Sequence, residues 1–259
     1  MKIGLHITTY NRLLFTQQCL KSLEWSNPKS SVVVIVDNNS TDGTKEFLKA
    51  YSLSYLNQIV FNDKNEGLGF AINQGWNILK DECDILGQIN NDFLFEPGWE
   101  SNVLACFEDL NLGYIIGTVR PDLEPGRKVT TSGKGFYILP LSVGAAYFLR
   151  TKHFKNGIAV SPRPFEKDYT GGGVNFHHQV QKLRGVRIAH PGILVRDSEY
   201  TNLEYVKYYD KTFGVRGITG RLREYRKNES QGRPRGVSNW KKFVEKYYPD
   251  KKGNYERFS

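Results

Sequence analysis

The sequence has no apolar run approaching the roughly 18 residues that a bilayer crossing needs, and its opening, Met1-Lys2-Ile3-Gly4-Leu5-His6, has neither the charged nor the apolar region of a secretory leader. A cytoplasmic protein is therefore expected. Cysteine is scarce. Cys19, Cys83 and Cys106 are an odd number with no CxxC spacing, each among apolar or helix-like neighbours, which argues against a disulfide framework or a zinc site and predicts reduced packing residues. Internal repeats and low-complexity tracts are also missing. With 39% hydrophobic, 13% aromatic and 24% charged residues, the 259-residue chain is neither disordered nor collagen-like, and it is long enough for one large domain with an appendage.

The first 200 residues have almost no excess charge, 21 Lys and Arg against 20 Asp and Glu, whereas residues 201–259 carry 15 against 7. A nearly neutral body thus ends in a basic, Tyr-rich segment that reads as helical. It is either a solvated surface or the electrostatic footprint of an anionic partner, a membrane surface or a nucleic acid.

What the first half does have is an alternation of short β-rich runs and helix-like stretches, the pattern of βαβ units around a mostly parallel sheet. Strands are expected over 2–8, 31–36, 58–62 and 84–89, and helices over 11–23, 41–51, 68–80 and 97–110. The run 31–36 is nearly unbroken Val and Ile, as in a strand buried on both faces. Segments from Tyr114, Gly135 and Val143 are strand-like and Gly-punctuated, which suggests a mixed or antiparallel second half.

The strands end in polar, turn-forming clusters: Thr8-Thr9-Tyr10-Asn11-Arg12, Asp37-Asn38-Asn39-Ser40-Thr41, and Asn90-Asn91-Asp92. Ligands of open α/β sheets bind beyond the carboxyl ends of the strands, so a site is predicted along that edge. A carboxylate there, Asp37, can accept hydrogen bonds from a ring N–H or a ribose hydroxyl, and helix-capping groups and free backbone N–H groups suit a phosphate. Ser40 and Thr41 fit helix capping as well as ligand contact. Asp92 is a hard oxygen ligand suited to Mg or Mn against a diphosphate.

In order, the segments TTYNR, VVIVDNNSTDGT, NEGLGFAINQG, INNDFLFEPGW and VGAAYFLRTKHF resemble the family-two, GT-A-fold glycosyltransferases over residues 3 to about 155, in particular the subgroup that includes many bacterial rhamnosyltransferases. The resemblance implies an α/β, Rossmann-like nucleotide-sugar-binding fold, a mixed sheet flanked by helices, over 1–200. Residues 1–110 would form the nucleotide-binding half, 111–200 the acceptor half, and 201–259 a basic helical extension. It places Thr8, Tyr10, Asn11 and Arg12 with Asn39 around the nucleotide, Asp37 on a uracil or thymine ring, and Asn65 and Gly67 near ribose and diphosphate. Asn90, Asn91 and Asp92 take the donor and metal position, and Gly144 and Ala145 face the sugar and acceptor.

Three departures from the family pattern matter. The Asp-x-Asp metal motif falls on Asn90-Asn91-Asp92 and keeps one carboxylate, an Asn-first form that the rhamnosyltransferase-type subgroup shares. The metal-binding His position falls on Asp197, which could coordinate Mg or Mn itself. The acidic pair that supplies the general base falls near 173–175, where the sequence has Gly, Val and Asn. Three explanations compete for that gap. Asp168, or less favourably Glu166, reaches the acceptor across Gly171-Gly172-Gly173, with Tyr169 stacking on a sugar ring; His177 or His178 is the base; or activity has been lost.

The resulting expectation is an inverting, hexosyltransferase-type enzyme moving a sugar from a UDP- or dTDP-sugar to a hydroxyl acceptor, a glycan or polysaccharide precursor. The alternatives are a glycosyltransferase acting on a modified DNA base, suggested by the basic segment, and a non-catalytic nucleotide-sugar-binding protein.

Overall fold

The run Ile-Gly-Leu-His-Ile-Thr-Thr forms β1 (Ile3–Thr9), buried at every position. In this computed structural model, residues 1–95, 98–117, 128–129, 136–138, 146–162, 176, 179–180, 182–183, 185–189 and 193–195 are described. The chain divides into two compact units, residues 1–119 with 125–194, and 120–124 with 195–259. The basic segment 201–259 lies outside the described residues.

After β1 the order is α1 (Leu13–Ser26), β2 (Ser31–Asp37), α2 (Thr44–Ala50), β3 (Leu56–Phe61), α3 (Leu68–Leu79), β4 (Ile85–Asn90), β5 (Phe93–Phe95), α4 (Trp99–Asp109), β6 (Tyr114–Gly117), β7 (Lys128–Val129), β8 (Phe136–Ile138), β9 (Ala146–Arg150), α5 (Thr151–Lys155), β10 (Gly185–Ala189) and β11 (Ile193–Val195). The main sheet runs β3-β2-β1-β4-β9-β6-β10-β8-β7. Its first four strands are parallel, β9 is antiparallel to both β4 and β6, and β10 is parallel to β6 and antiparallel to β8. The expected α/β mixed sheet is present, with its antiparallel part in the second half.

The helices pack by their apolar stripes. Ala71, Ile72, Trp76 and Leu79 of α3 lie against Val34 and Val36 of β2, Leu86 of β4 and Tyr147 and Leu149 of β9. Burying such side chains contributes about 1.5 to 3 kcal/mol each. Two glycines allow the close approach: a Cβ on Gly75 would stand 2.2 Å from His6 Nδ1, and one on Gly69 would stand 2.0 Å from the Ser161 carbonyl oxygen. On α1, Ser22 Oγ accepts the Phe95 N–H at 2.9 Å and Ser26 Oγ accepts Trp99 Nε1–H at 3.1 Å, fastening α1 to β5 and α4. All three cysteines are free and buried, and burial raises their thiol pKa values, Cys83 to about 11. Among the described residues no helix is long and apolar enough to cross a membrane.

One expectation fails in its detail. The helix expected from Thr41 begins at Thr44, after Gly43 at φ 92°. Asp42 does the capping, its Oδ1 accepting the Thr44 N–H at 3.1 Å and the Thr44 hydroxyl at 2.6 Å. Ser40 and Thr41 do not cap, because both are held by the loop described below.

His6 is fully buried in β1, and desolvation lowers its pKa from 6.5 to about 3. Between those values the unfolded chain binds the proton and the folded protein does not. Stability therefore falls as pH drops from 6.5 toward 3, by about 1.4 kcal/mol per pH unit. The stability of wild type relative to His6→Leu should fall at that rate as pH drops from 6 to 4 in denaturant titrations; parallel pH profiles would exclude the assignment.

Candidate functional site

The chain leaves β1 toward β2 on one side of the sheet and leaves β4 toward β6 on the other. The carboxyl edge between β1 and β4 is thus a topological switch point, where the loops on either side diverge and leave a crevice. Thr8 and Asn90 are register partners on the last β1/β4 rung, and Thr9 pairs with Asp37 across β1/β2.

Asp37 has no solvent exposure. Its Oδ1 accepts the Ser40 N–H at 2.9 Å, and its Oδ2 accepts the Thr9 hydroxyl at 2.8 Å and the Ser40 hydroxyl. Ser40 Oγ in turn accepts the Asn11 N–H at 2.7 Å, and Asn11 Oδ1 accepts the Thr41 N–H at 2.7 Å. The β1 and β2 loops are therefore one hydrogen-bonded body. Within it Asn11 and Arg12 occupy the left-handed region, at φ 56° and 66°, and so does Asn39 at 66°. Asn tolerates that conformation; Arg does so at a cost, which the surrounding bonds offset.

The turn at Arg12 carries its guanidinium to Asp92. NH1 lies 3.3 Å from Asp92 Oδ2, and both side chains are about nine-tenths buried, at 11% and 10% exposure. Next to it, Asn91 Nδ2 donates to the Asn11 carbonyl at 3.2 Å and to Thr16 Oγ1 at 2.9 Å, so this amide braces the start of α1. Asn90 is partly exposed, and its Oδ1 accepts Gln88 Nε2–H at 2.8 Å.

A second layer of amides joins β2, β3 and α3. Asn62 Nδ2 donates to Asn38 Oδ1 at 2.8 Å, Gln74 Nε2 to Asn62 Oδ1 at 3.1 Å, and Asn38 Nδ2 to the Gly67 carbonyl at 3.3 Å. Gly67 sits at φ 90°. Its N–H donates to Asn65 Oδ1 at 3.0 Å, so this amide is already engaged within the loop. Asn39 Oδ1 accepts Lys45 Nζ–H at 3.2 Å, and Tyr10 is partly exposed at the rim.

The structure thus brings Thr8, Tyr10, Asn11, Arg12, Asp37, Asn39, Asn90, Asn91 and Asp92 to the predicted edge, with Asn65 and Gly67 at the start of α3. Gly144, Ala145, Glu166, Asp168, Tyr169, His177, His178 and Asp197 lie outside the described residues. Sequence reasoning missed His6, Gln88, Asn38, Asn62 and Gln74. The first two carried a signal, a polar side chain in the middle of an otherwise apolar central strand.

Because Asp37 holds both loops, Asp37→Ala should lower unfolding free energy by about 2 to 4 kcal/mol, the range for breaking a buried charge-assisted network. Chemical denaturation of the variant measures this. A loss below about 0.5 kcal/mol, typical of surface substitutions, would show that the network does not hold the loops.

Residues 5–160 match the family model described as Glycosyl transferase family 2. Over 120 residues the chain is 37% identical to Glycosyltransferase AglE of Haloferax volcanii, a match taking in 45% of this chain and 39% of that protein. The chain therefore aligns with about two-fifths of that curated relative's length. Among solved structures, the 1-349 portion of S. aureus TarS superposes with a TM-score of 0.59 at 16% identity, covering 85% of this chain and 74% of that one. The same portion in complex with UDP-GlcNAc gives 0.56 at 16% identity, covering 74% and 57%. The mannosyltransferase PcManGT of Pyrobaculum calidifontis, in complex with GDP-Man and Mn2+, gives 0.56 at 14% identity, covering 82% and 60%. At these identities the structural likeness shows the fold alone, an α/β fold of the GT-A kind. With more than half its length matched by the family model, the chain belongs to glycosyl transferase family 2.

Proposed function

We propose that this chain is a glycosyltransferase that binds a nucleoside diphosphate sugar, UDP- or dTDP-linked, at the β1/β4 edge and transfers a hexose-type sugar to a hydroxyl acceptor with inversion. The observation that carries the reading is the switch point itself, where Arg12, Asp37, Asn90 and Asp92 meet at the carboxyl ends of three parallel strands. Family membership supports transfer chemistry, and the TarS and PcManGT complexes with UDP-GlcNAc and GDP-Man support a nucleotide-sugar donor. The Asn-Asn-Asp sequence at 90–92 supports the rhamnosyltransferase-like subgroup, and the acceptor in this reading is a glycan or polysaccharide precursor. The reading places the protein in the cytoplasm, with the basic segment 201–259 against an anionic membrane surface.

In this mechanism the base pocket forms around Tyr10 and Asn11, with Asp37 on the ring. As Asp37 is fully buried and bonded to Thr9 and Ser40, it would engage a base by exchanging a hydroxyl partner. Arg12 supplies positive charge toward the departing diphosphate, oriented by Asp92. The acceptor oxygen attacks the anomeric carbon from the face opposite the diphosphate, its proton passing to Asp168, with Gly144, Ala145 and Tyr169 around the acceptor.

A divalent ion fits this edge in part. Mg-type sites combine one or two carboxylates with substrate phosphates. Asp92 is one such carboxylate. Among the described residues no group of three His, Cys, Asp or Glu gathers. Bound there, Mg or Mn would supply further positive charge against the diphosphate.

A screen of UDP-, dTDP- and GDP-sugars for binding and donor hydrolysis, in Mn2+ and in EDTA, tests the reading. One UDP- or dTDP-sugar should be turned over, and Mn2+ should tighten its binding in wild type and not in Asp92→Ala. Absence of binding across the panel would overturn the proposal; equal binding in EDTA would remove the ion alone.

For the base, Asp168→Asn should cut transfer by roughly 100-fold or more, within the range for general-base loss, with nucleotide affinity near normal. Activity that survives this change and disappears in Glu166→Gln or His177→Ala would move the role.

A further inference from the structure

Strands at the centre of a parallel sheet are expected to be apolar on both faces. Yet β1 and β4 each place one polar side chain in mid-strand, His6 and Gln88, at 0% and 1% exposure. The two are register partners, on the pair of strands that flanks the switch point. Each reaches two residues along its own strand toward the carboxyl edge. His6 Nε2 lies 2.7 Å from Thr8 Oγ1, and Gln88 Nε2 donates to Asn90 Oδ1 at 2.8 Å. Thr8 and Asn90 are the next register partners, on the rung that borders the crevice.

The polar atoms left over set the direction of these bonds. Gln88 Oε1 is buried without a partner among the described residues. Turning that amide over would bury an NH2 with two unmade donors in place of one unmade acceptor, at greater cost. Gln88 therefore donates, Asn90 Oδ1 is occupied, and the Asn90 amide nitrogen is what remains to face the crevice. The same argument applies to His6, whose Nδ1 is also buried without a partner among the described residues. A proton on Nε2 leaves Nδ1 a bare acceptor and not a stranded N–H. Thr8 Oγ1 then accepts from His6, and its own hydroxyl proton is available elsewhere.

We propose that His6 and Gln88 are positioning residues that fix the Thr8 hydroxyl and the Asn90 amide as paired hydrogen-bond donors at the switch point, matched to the acceptor oxygens of a nucleoside diphosphate. The proposal rests on the reading of this edge as the donor site. It gives the Asn at position 90 a function that an Asp there could not perform, since a carboxylate has no donor to offer.

Two double-mutant cycles on the full chain test it, with UDP, dTDP and GDP as probes and the tightest binder of the three titrated calorimetrically. One cycle combines Gln88→Met with Asn90→Ala, the other His6→Leu with Thr8→Val. Each single substitution should weaken binding by about threefold to tenfold, the range for one neutral hydrogen bond. Each double variant should be no weaker than its weaker parent, because the inner residue acts only through the outer one. A purely structural role would instead make the losses multiply, and that result overturns the proposal. So does unchanged affinity in both Gln88→Met and His6→Leu; a loss confined to Asn90→Ala and Thr8→Val would keep the donor-site reading and remove this one. If wild type binds none of the three nucleotides, both readings fall. Thermal unfolding identifies any variant that does not fold, in which case the other cycle decides.

Discussion

A carboxylate with no access to water must find its hydrogen bonds inside the protein, and at Asp37 that requirement ties two loops into one. Thr9 comes from the end of β1 and Ser40 from the turn after β2, and both are drawn to the same side chain. Ser40 then holds Asn11, and Asn11 holds Thr41. The next residue, Asp42, accepts the Leu13 N–H at 2.9 Å and so fixes the start of α1. The contacts that cross between the two loops depend on the parallel register that sets Thr9 opposite Asp37.

The left-handed pair Asn11 and Arg12 follows from that arrangement. Asn11 is bonded through its N–H, its side-chain oxygen and its carbonyl, the last to Asn91 at the end of β4. Three bonds over-determine one residue, and so a conformation unfavourable for the neighbouring Arg12 can persist. Its consequence is a guanidinium delivered to Asp92 from a position no continuous helix would reach. The pair is largely desolvated, so its attraction exceeds that of a surface ion pair, although the cost of burying both charges removes much of that gain. Its value here is one of direction, since a cation held at the strand edge is what the proposed diphosphate donor would need.

Legibility followed the physics of each element. β2 was readable because Val32, Val33, Val34, Ile35 and Val36 leave no other interpretation of a buried run, and the polar ends of β1, β2 and β4 marked the edge where ligands gather. The start of α2 was misread because Ser40 and Thr41 are good capping residues by type, and nothing local reveals that Asp37 and Asn11 claim them. Gly67, which the resemblance places near ribose and diphosphate, has its N–H bonded to Asn65, and Gly69 makes room for the Ser161 carbonyl. Long-range pairings of this kind, such as Arg12 with Asp92 across 80 positions, have no signature in spacing. Around the expected base, residues 166–178, the sequence departs from the family pattern, so no motif there singles out one residue.

The polar groups at this edge are mostly satisfied before any ligand arrives, and that bears on how a ligand would be recognised. A nucleotide would gain little from Asp37 or Gly67 unless it replaced an internal bond, and an exchange of one hydrogen bond for another contributes little net free energy. Discrimination would then depend on groups that gain a partner only on binding. In the described part of the edge these are the Asn90 amide nitrogen, partly exposed with its oxygen already engaged, and the Thr8 hydroxyl beside it. Both are supported from beneath by residues that are costly to bury, His6 and Gln88, in strands where Leu or Val would pack more favourably. Polar side chains at the centre of a sheet weaken the core locally, and the edge they support is where that loss has a chemical use.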